Sequence, residues 1–157
     1  MSSVNALHSD SDATTLVIRS PDTETVVRLC NRWQFDVDSV HYAVEASAPG
    51  MTARVDEALA AIWEPHPNLP TFLDELARDF HGWPGERSWR SLENDLGVSA
   101  VFRSGGHVGL TWTLRPWPAR YGGWSASVTT WLETGEQMTS LAADVRAFLY
   151  LEPAVNV

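Results

Sequence analysis

The sequence of 157 residues contains no lysine, so all eleven of its basic residues are arginine. Twenty aspartate and glutamate residues outnumber them and give a formal net charge of −9. Proteins that bind nucleic acids or anionic membranes neutralise phosphates with basic patches, and this chain has a surplus of the opposite sign. The composition therefore argues against nucleic acid and membrane surfaces as partners.

Cysteine is almost absent as well. Cys30 is the single one, which excludes an intramolecular disulfide and a secreted disulfide-bonded scaffold. Its neighbours at residues 26–29 are mostly apolar, so a buried side chain is favoured over a nucleophile. The first ten residues lack the basic and apolar regions of a signal peptide. No apolar run reaches the roughly 18 residues that a spanning helix needs, and we expect a cytoplasmic protein.

The chain has enough apolar residues, 44% of the total, to bury a core without a metal or a disulfide. We expect a single α+β domain over residues 13–152. Residues 1–12 are polar and rich in serine and aspartate, which predicts a flexible N-terminal segment.

Alternation of apolar and polar residues predicts strands in the first half of the chain, because it places one face in the core and one in water. The predicted strands cover residues 14–19, 25–29, 33–38 and 40–46. Residues 51–62 fit either a strand or a helix, and we favour a strand that enters a bend.

Helical spacing predicts two helices. Asn68 is the expected N-cap of the first, and its apolar stripe consists of Leu69, Phe72, Leu73, Leu76, Ala77 and Phe80. Thr134 and Gln137 match a capping box at the start of the second helix. Its apolar face consists of Met138, Leu141, Ala142, Val145, Phe148 and Leu149.

Three further strands are predicted between the helices, at residues 98–103, 107–114 and 124–132. Gly105 and Gly106 supply the positive φ of a hairpin turn between the first two. Residues 88–96 are expected to form a connector. The order is about ββββ-α-βββ-α, and we predict an α+β fold with one antiparallel sheet of about six to seven strands and two helices packed on one face.

Motifs for metals, phosphates and activated nucleophiles are missing from the sequence. The five histidines, His8, His41, His66, His81 and His107, are far apart and form no metal-ligand pair. Neither pair of adjacent glycines has the spacing of a phosphate-binding loop, and no serine elbow occurs. We therefore predict no metal, no cofactor and no catalytic residue.

The segment from residue 79 to 96 has the densest set of polar side chains. His81, Glu86 and Asp95 could act as acid and base partners of an enzyme, with Arg87 or Arg90 binding an anion. The alternative is a structural corner in which Trp83 and Trp89 pack on the sheet and the charged residues pair around the loop. We favour the structural corner.

Eight tryptophans are several times what an average domain of this length has. Most fall at positions expected in the core, whereas Trp117 and Trp131 are expected to point outward. Exposed tryptophan and arginine are enriched at protein–protein hot spots. Carboxylates are expected on the polar strand faces and on one side of the first helix, and they would attract a basic protein. They are Asp36, Asp38, Glu45, Asp74, Glu75 and Asp79.

Four motifs stand within residues 71 to 150, about half of the chain: F-L-D-E-L-A-R-D-F, G-W-P-G-E-R-S-W-R-S-L-E-N-D-L, G-H-V and T-G-E-Q-M-T-S-L-A-A-D-V-R-A-F-L. In these motifs the chain resembles a bacterial domain-of-unknown-function family. It resembles more loosely the WapI-like immunity proteins that neutralise polymorphic toxins. These motifs are structural, so they transfer no functional residue. The immunity proteins imply an acidic single domain that binds a toxin.

Three hypotheses follow for the function. The leading one is a small non-catalytic binding protein, with an immunity protein that covers a basic toxin domain as its specific form. The second is a small enzyme that uses the corner at residues 81–95. The third is a small-ligand-binding or regulatory domain with an apolar cavity between sheet and helices. The identity of the partner and the oligomeric state stay open.

Overall fold

A computed structural model of the chain describes residues 15–21, 23–61, 68–116 and 123–150. Within these residues there are eight strands and two helices. The first half consists of β1 (Leu16–Arg19), β2 (Val26–Asp36), β3 (Ser39–Ala48), β4 (Met51–Ala61) and α1 (Leu69–Arg78). The second half consists of β5 (Glu86–Arg90), β6 (Leu96–Arg103), β7 (His107–Leu114), β8 (Ala126–Glu133) and α2 (Glu136–Leu149). The predicted flexible segment at residues 1–12 lies outside the described residues.

The strands form two four-stranded antiparallel sheets, β1-β2-β3-β4 and β5-β6-β7-β8. The class is α+β as predicted, but the single sheet of six to seven strands is wrong. Each strand pairs only with strands next to it in sequence. The two sets of strands do not join edge to edge, and each half has the order ββββα.

One hydrophobic core joins both sheets and both helices. The sheets approach each other where β3 and β4 meet β7 and β8, and α1 packs against α2. Tyr42 of β3 meets Phe148 of α2 edge to face, with ring centroids 6.1 Å apart. Trp112, fully buried, donates from Nε1 to Oγ1 of Thr130 at 3.0 Å. The helices therefore pack as a pair against both sheets, and not on one face of a single sheet.

The ambiguous stretch at residues 51–62 is a strand, as we favoured, over the described part Met51–Ala61. The separately predicted strands at residues 25–29 and 33–38 are one strand, β2. Its register slips between Cys30 and Trp33, and Asn31 has a φ of 51°. A residue at positive φ breaks the period of two without ending the strand.

The first helix begins where the sequence predicts, because Oδ1 of Asn68 accepts a hydrogen bond from the amide of Thr71 at 2.9 Å. Phe80 does not continue its buried stripe: α1 ends at Arg78, and the Phe80 side chain is exposed. The predicted capping box of α2 is also wrong. Gly135 is the N-cap and has no side-chain bond, and Gln137 instead accepts from the amide of Glu133 at 2.8 Å.

The hairpin between β6 and β7 turns at Gly105 and Gly106 as predicted, and both have a positive φ. The expected connector at residues 88–96, however, contains most of the strand β5, which pairs with β6. In β5 the inward positions hold Arg87 and Trp89, so the strand has no simple apolar face that a pattern could reveal.

Candidate functional site

Three of the six carboxylates expected to form an acidic surface have arginine partners. The pairs are Glu45 with Arg54 at 3.3 Å, Asp79 with Arg87 at 2.5 Å, and Asp74 with Arg146. These arginine partners offset most of the negative charge that the sequence predicts on the first helix and in the middle of β3. Asp36, Asp38 and Glu75 form no ion pair with any residue that the structure describes.

Asp36 and Asp38 lie at the turn between β2 and β3, beside exposed apolar side chains. Val37 is 83% exposed and Trp33 is 44% exposed. The Trp33 indole stacks on the His41 ring, with centroids 4.5 Å apart and planes 10° apart. We call Trp33, Asp36, Val37 and Asp38 the acidic tip. It combines carboxylates with an exposed tryptophan, a residue type enriched in protein–protein hot spots.

The turn of the acidic tip is held by its own hydrogen bonds. Oδ1 of Asp36 accepts from the amide of Asp38 at 2.8 Å and from the hydroxyl of Ser39 at 2.9 Å. The amide of Asp38 and the hydroxyl of Ser39 lower the pKa of the Asp36 carboxyl, because both bonds favour the charged form. Asp36 is therefore ionised at neutral pH, and the carboxylate is fixed before any partner arrives.

A second acidic surface lies between the edge strand β1, the end of β8 and the helix α2. It is a groove of about 450 Å³ whose apolar lining includes Leu16, Ile18 and Leu141. Its carboxylates are Glu133, Glu136 and Asp144. The sequence analysis missed this set because β1 and α2 are more than one hundred residues apart and nothing in either segment predicts their contact.

The outer face of the second sheet carries hydroxyl groups in register. One row crosses all four strands and consists of Ser88, Ser99, Thr111 and Thr129. Oγ1 of Thr111 lies 2.8 Å from Oγ1 of Thr129, and Oγ1 of Thr113 lies 2.8 Å from Oγ of Ser127. We call this side the hydroxyl face.

A groove of about 260 Å³ crosses the β5–β6–β7 part of the hydroxyl face. Arg90 and Arg115 line it, and Gly97 lies between Arg90 and Thr113 in the register of the strands. Asn94 and Glu86 also line it. We call it the arginine groove.

The three side chains of the hypothetical enzyme corner are not brought together. Glu86 pairs with Val101, six positions along β6 from Asp95, which corresponds to about 20 Å at the rise of a strand. His81 is exposed beyond the end of α1, and its ring lies against Phe80, with centroids 4.1 Å apart.

Several side chains of residues 79–96 pack and pair as the structural alternative predicts. Trp83 is buried, and its Nε1 donates to the carbonyl of Ala100 at 3.3 Å. The Arg87 guanidinium lies over the Trp83 ring, 4.8 Å from its centroid, while it also pairs with Asp79. Trp89 packs against the core as expected.

Asp95 is buried at the start of β6. The hydroxyl of Ser91 donates to its Oδ1 at 2.8 Å and accepts from the amide of Leu96 at 3.1 Å. Burial raises the pKa of the Asp95 carboxyl above its ordinary value, while the bond from Ser91 opposes that shift. The Ser91 hydroxyl therefore links the Asp95 carboxyl to the turn between β5 and β6.

Trp131 is half-buried and not fully outward as expected, because it lies over Gly109 with the Arg103 guanidinium 4.4 Å from its centroid. Trp117 lies outside the described residues. The exposed tryptophans that the structure does describe are Trp33 and Trp124. Trp33 escaped the sequence analysis because its alternation with Phe35 and Val37 predicts a buried face.

Cys30 is buried, and burial raises the pKa of its thiol while the charge of Arg54 opposes that shift. A thiol held protonated is a poor nucleophile. Among the described residues, no three His, Cys, Asp or Glu side chains are grouped so that they could hold a metal ion. No helix in the described ranges is long and apolar enough to cross a membrane.

Comparisons with curated proteins and with solved structures found no match. A family model, described as a family of unknown function, matches residues 18–152. The match covers both ββββα halves from the middle of β1 onward. It confirms the resemblance to a domain-of-unknown-function family, and it does not confirm the resemblance to immunity proteins.

Proposed function

The chain belongs to the DUF6228 family, whose function is unknown, and we propose that it is a non-catalytic binding protein for a basic protein partner. We place this activity in the cytoplasm. The acidic tip carries the proposal, because Trp33 and Val37 are exposed there beside the carboxylates of Asp36 and Asp38, which have no ion-pair partner among the described residues.

The physical argument has two parts. Trp33 and Val37 expose apolar area that a partner can cover, and burial of such area is the main source of affinity at hot spots. Asp36 and Asp38 accelerate encounter with a basic surface and disfavour an acidic one. The net charge of −9 on the whole chain acts in the same direction. The hydrogen bonds of the turn reduce the ordering cost of binding.

The groove beside α2 supports the same class of partner. Glu133, Glu136 and Asp144 make no ion pair with residues that the structure describes, and they border an apolar floor. A basic partner could therefore contact acidic surface at more than one place. A toxin domain encoded beside the gene is the specific partner that we would test first.

Co-expression with each protein encoded by the neighbouring genes tests the proposal. We expect one basic neighbour to form a stable complex, or to lose toxicity, in the presence of this chain. Affinity for it should fall as salt rises, because exposed charges are screened within about 10 Å at 0.1 M ionic strength. The proposal fails if no neighbouring protein loses toxicity in the presence of this chain and none forms a complex with it.

The acidic tip is tested in that complex with Trp33→Ala and Asp38→Lys. Loss of a hot-spot tryptophan weakens binding by about 2 kcal/mol or more, which is roughly 30-fold. Glu75→Lys is the matched control, since it makes the same charge change on the exposed side of α1. Equal losses for Asp38→Lys and Glu75→Lys would assign the effect to net charge and remove the tip from the interface.

A further inference from the structure

The arginine groove is a polar depression on the outer side of the second sheet. Its floor is the outer side of β6 and β7, where the register aligns Arg90, Gly97 and Thr113 in one row. Gly97 has no side chain, and a Cβ placed there would have only the Trp89 carbonyl nearby, at 3.7 Å. The missing side chain leaves open space between Arg90 and Thr113.

Arg90 and Arg115 make no ion pair with any residue within the described ranges. What distinguishes them from the other arginines without such a pair is that both line the same groove. Arg54, Arg87 and Arg146, by contrast, each have a carboxylate partner. Two unneutralised guanidinium groups in one concavity form a local positive site on an acidic protein.

The chemistry of the lining selects the ligand. A guanidinium presents a planar fork of donors that matches the two oxygens of a phosphate or carboxylate. Ser88, Ser99 and Thr113 add hydroxyls that can donate or accept, and Asn94 adds an amide. Glu86 lies at the opposite end from the arginines and accepts hydrogen bonds from ligand hydroxyls.

We propose that the arginine groove binds a small polyol that carries an oxyanion, with the oxyanion between Arg90 and Arg115 and the hydroxyls along β5 and β6. The volume of about 260 Å³ lies just below the roughly 300–1,000 Å³ of drug-sized pockets, which suits a ligand of a few carbon atoms. This site is on the second sheet and does not depend on the binding of a protein at the acidic tip.

Titration followed by NMR tests the proposal on the full chain. The probes are glycerol phosphate, glycerate, inorganic phosphate and glycerol. We expect saturable shifts of the Arg90 and Arg115 side-chain signals with the phosphorylated or the carboxylated polyol, weaker binding of inorganic phosphate, and none of glycerol. Comparison of glycerol phosphate with glycerate tells which oxyanion the site prefers. The proposal is overturned if neither glycerol phosphate nor glycerate gives saturable shifts. It is also overturned if inorganic phosphate binds as tightly as these two compounds.

Substitutions locate the site. Arg90→Gln and Arg115→Gln should each weaken binding of the preferred polyol roughly tenfold or more, since a charge-assisted bond is lost. Arg19→Gln and Arg78→Gln, at exposed positions outside the groove, should leave it unchanged. Ser99→Ala should weaken the binding of the polyol and leave the binding of inorganic phosphate unchanged. If the control variants lose as much affinity as the groove variants, the effect comes from net charge, and the groove is rejected as the binding site.

Discussion

The indole ring of Trp131 fills the space that a side chain at Gly109 would need. The two residues are paired across β7 and β8, and a Cβ on Gly109 would lie 2.7 Å from Cη2 of Trp131. The Arg103 guanidinium lies on the ring at 4.4 Å. The three residues form a small layered cluster at one end of the hydroxyl face.

Gly109→Ala should therefore displace the ring and lower the free energy of unfolding by about 1–3 kcal/mol, the usual range for overpacking. Urea unfolding gives the energy, and tryptophan fluorescence reports the displacement. Gly97→Ala is the matched control on the next strand, because its Cβ meets only ordinary contacts. A loss in Gly97→Ala as large as in Gly109→Ala would contradict this account.

Asn68→Ala should remove the N-cap of α1 and cost about 1 kcal/mol. The reason is the bond from the Thr71 amide to Oδ1 of Asn68. Thr134→Ala provides the comparison, since Thr134 precedes α2 without capping it, and we expect a smaller loss. Thermal unfolding of both variants measures the difference. Equal effects would mean that Thr134 acts as a cap in solution.

Asp95→Asn should stabilise the protein at neutral pH. Burial raises the pKa of the Asp95 carboxyl above the ordinary 3.8, so the folded state binds the proton more tightly than the unfolded state. The resulting stabilisation is complete below the unfolded pKa and is lost as pH rises through the folded pKa. Asparagine keeps the acceptor for Ser91 and carries no charge to bury.

Denaturant unfolding at a series of pH values measures this effect. We expect the advantage of Asp95→Asn to be largest at neutral pH and to shrink as the pH falls toward 3.8. Asp144→Asn, at an exposed position of α2, controls for the loss of one negative charge in an acidic protein. An advantage of equal size at all pH values would contradict the assignment to ionisation.

The ion pair between Asp74 of α1 and Arg146 of α2 should contribute only about 0.2–1 kcal/mol, because both side chains are partly exposed. A double-mutant cycle with Asp74→Asn and Arg146→Gln isolates the interaction. The coupling should weaken with added salt. A coupling of several kcal/mol that does not depend on salt would show that the pair is shielded from solvent.

Native Cys30 should react slowly with thiol reagents at neutral pH. Its thiol is buried and its pKa is raised, so little thiolate is present or accessible. Absorbance of the released reporter should show slow labelling in buffer and fast labelling in urea. Fast labelling of the folded protein would mean that the β2 strand opens near its register slip.

The sequence predicts elements whose burial follows a simple period. Alternation locates β3 and β7, and the helical stripe with Asn68 locates α1. Phe80 breaks the rule because the helix ends two residues earlier, at Arg78. β5 was missed because Arg87 occupies an inward position, where its guanidinium lies over Trp83.

Pairing between distant segments has no such local signal. Strand patterns do not tell whether β4 pairs with a strand of the second half or whether two sheets form. The hydroxyl row becomes visible only when the three registers between β5, β6, β7 and β8 are known. The sequence predicts only part of the acidic tip. It indicates Asp36 and Asp38 as surface carboxylates, whereas the alternation at Trp33 predicts a buried side chain. The arginine groove depends on Gly97, which no motif identifies.

The repeated ββββα order has a consequence for folding kinetics. The six strand pairings among the described residues all join consecutive strands, so each pairing closes only the loop of its own hairpin. Each meander can form from its own hairpins. We expect the rate-limiting step to be the docking of one half on the other, through the contact of α1 with α2.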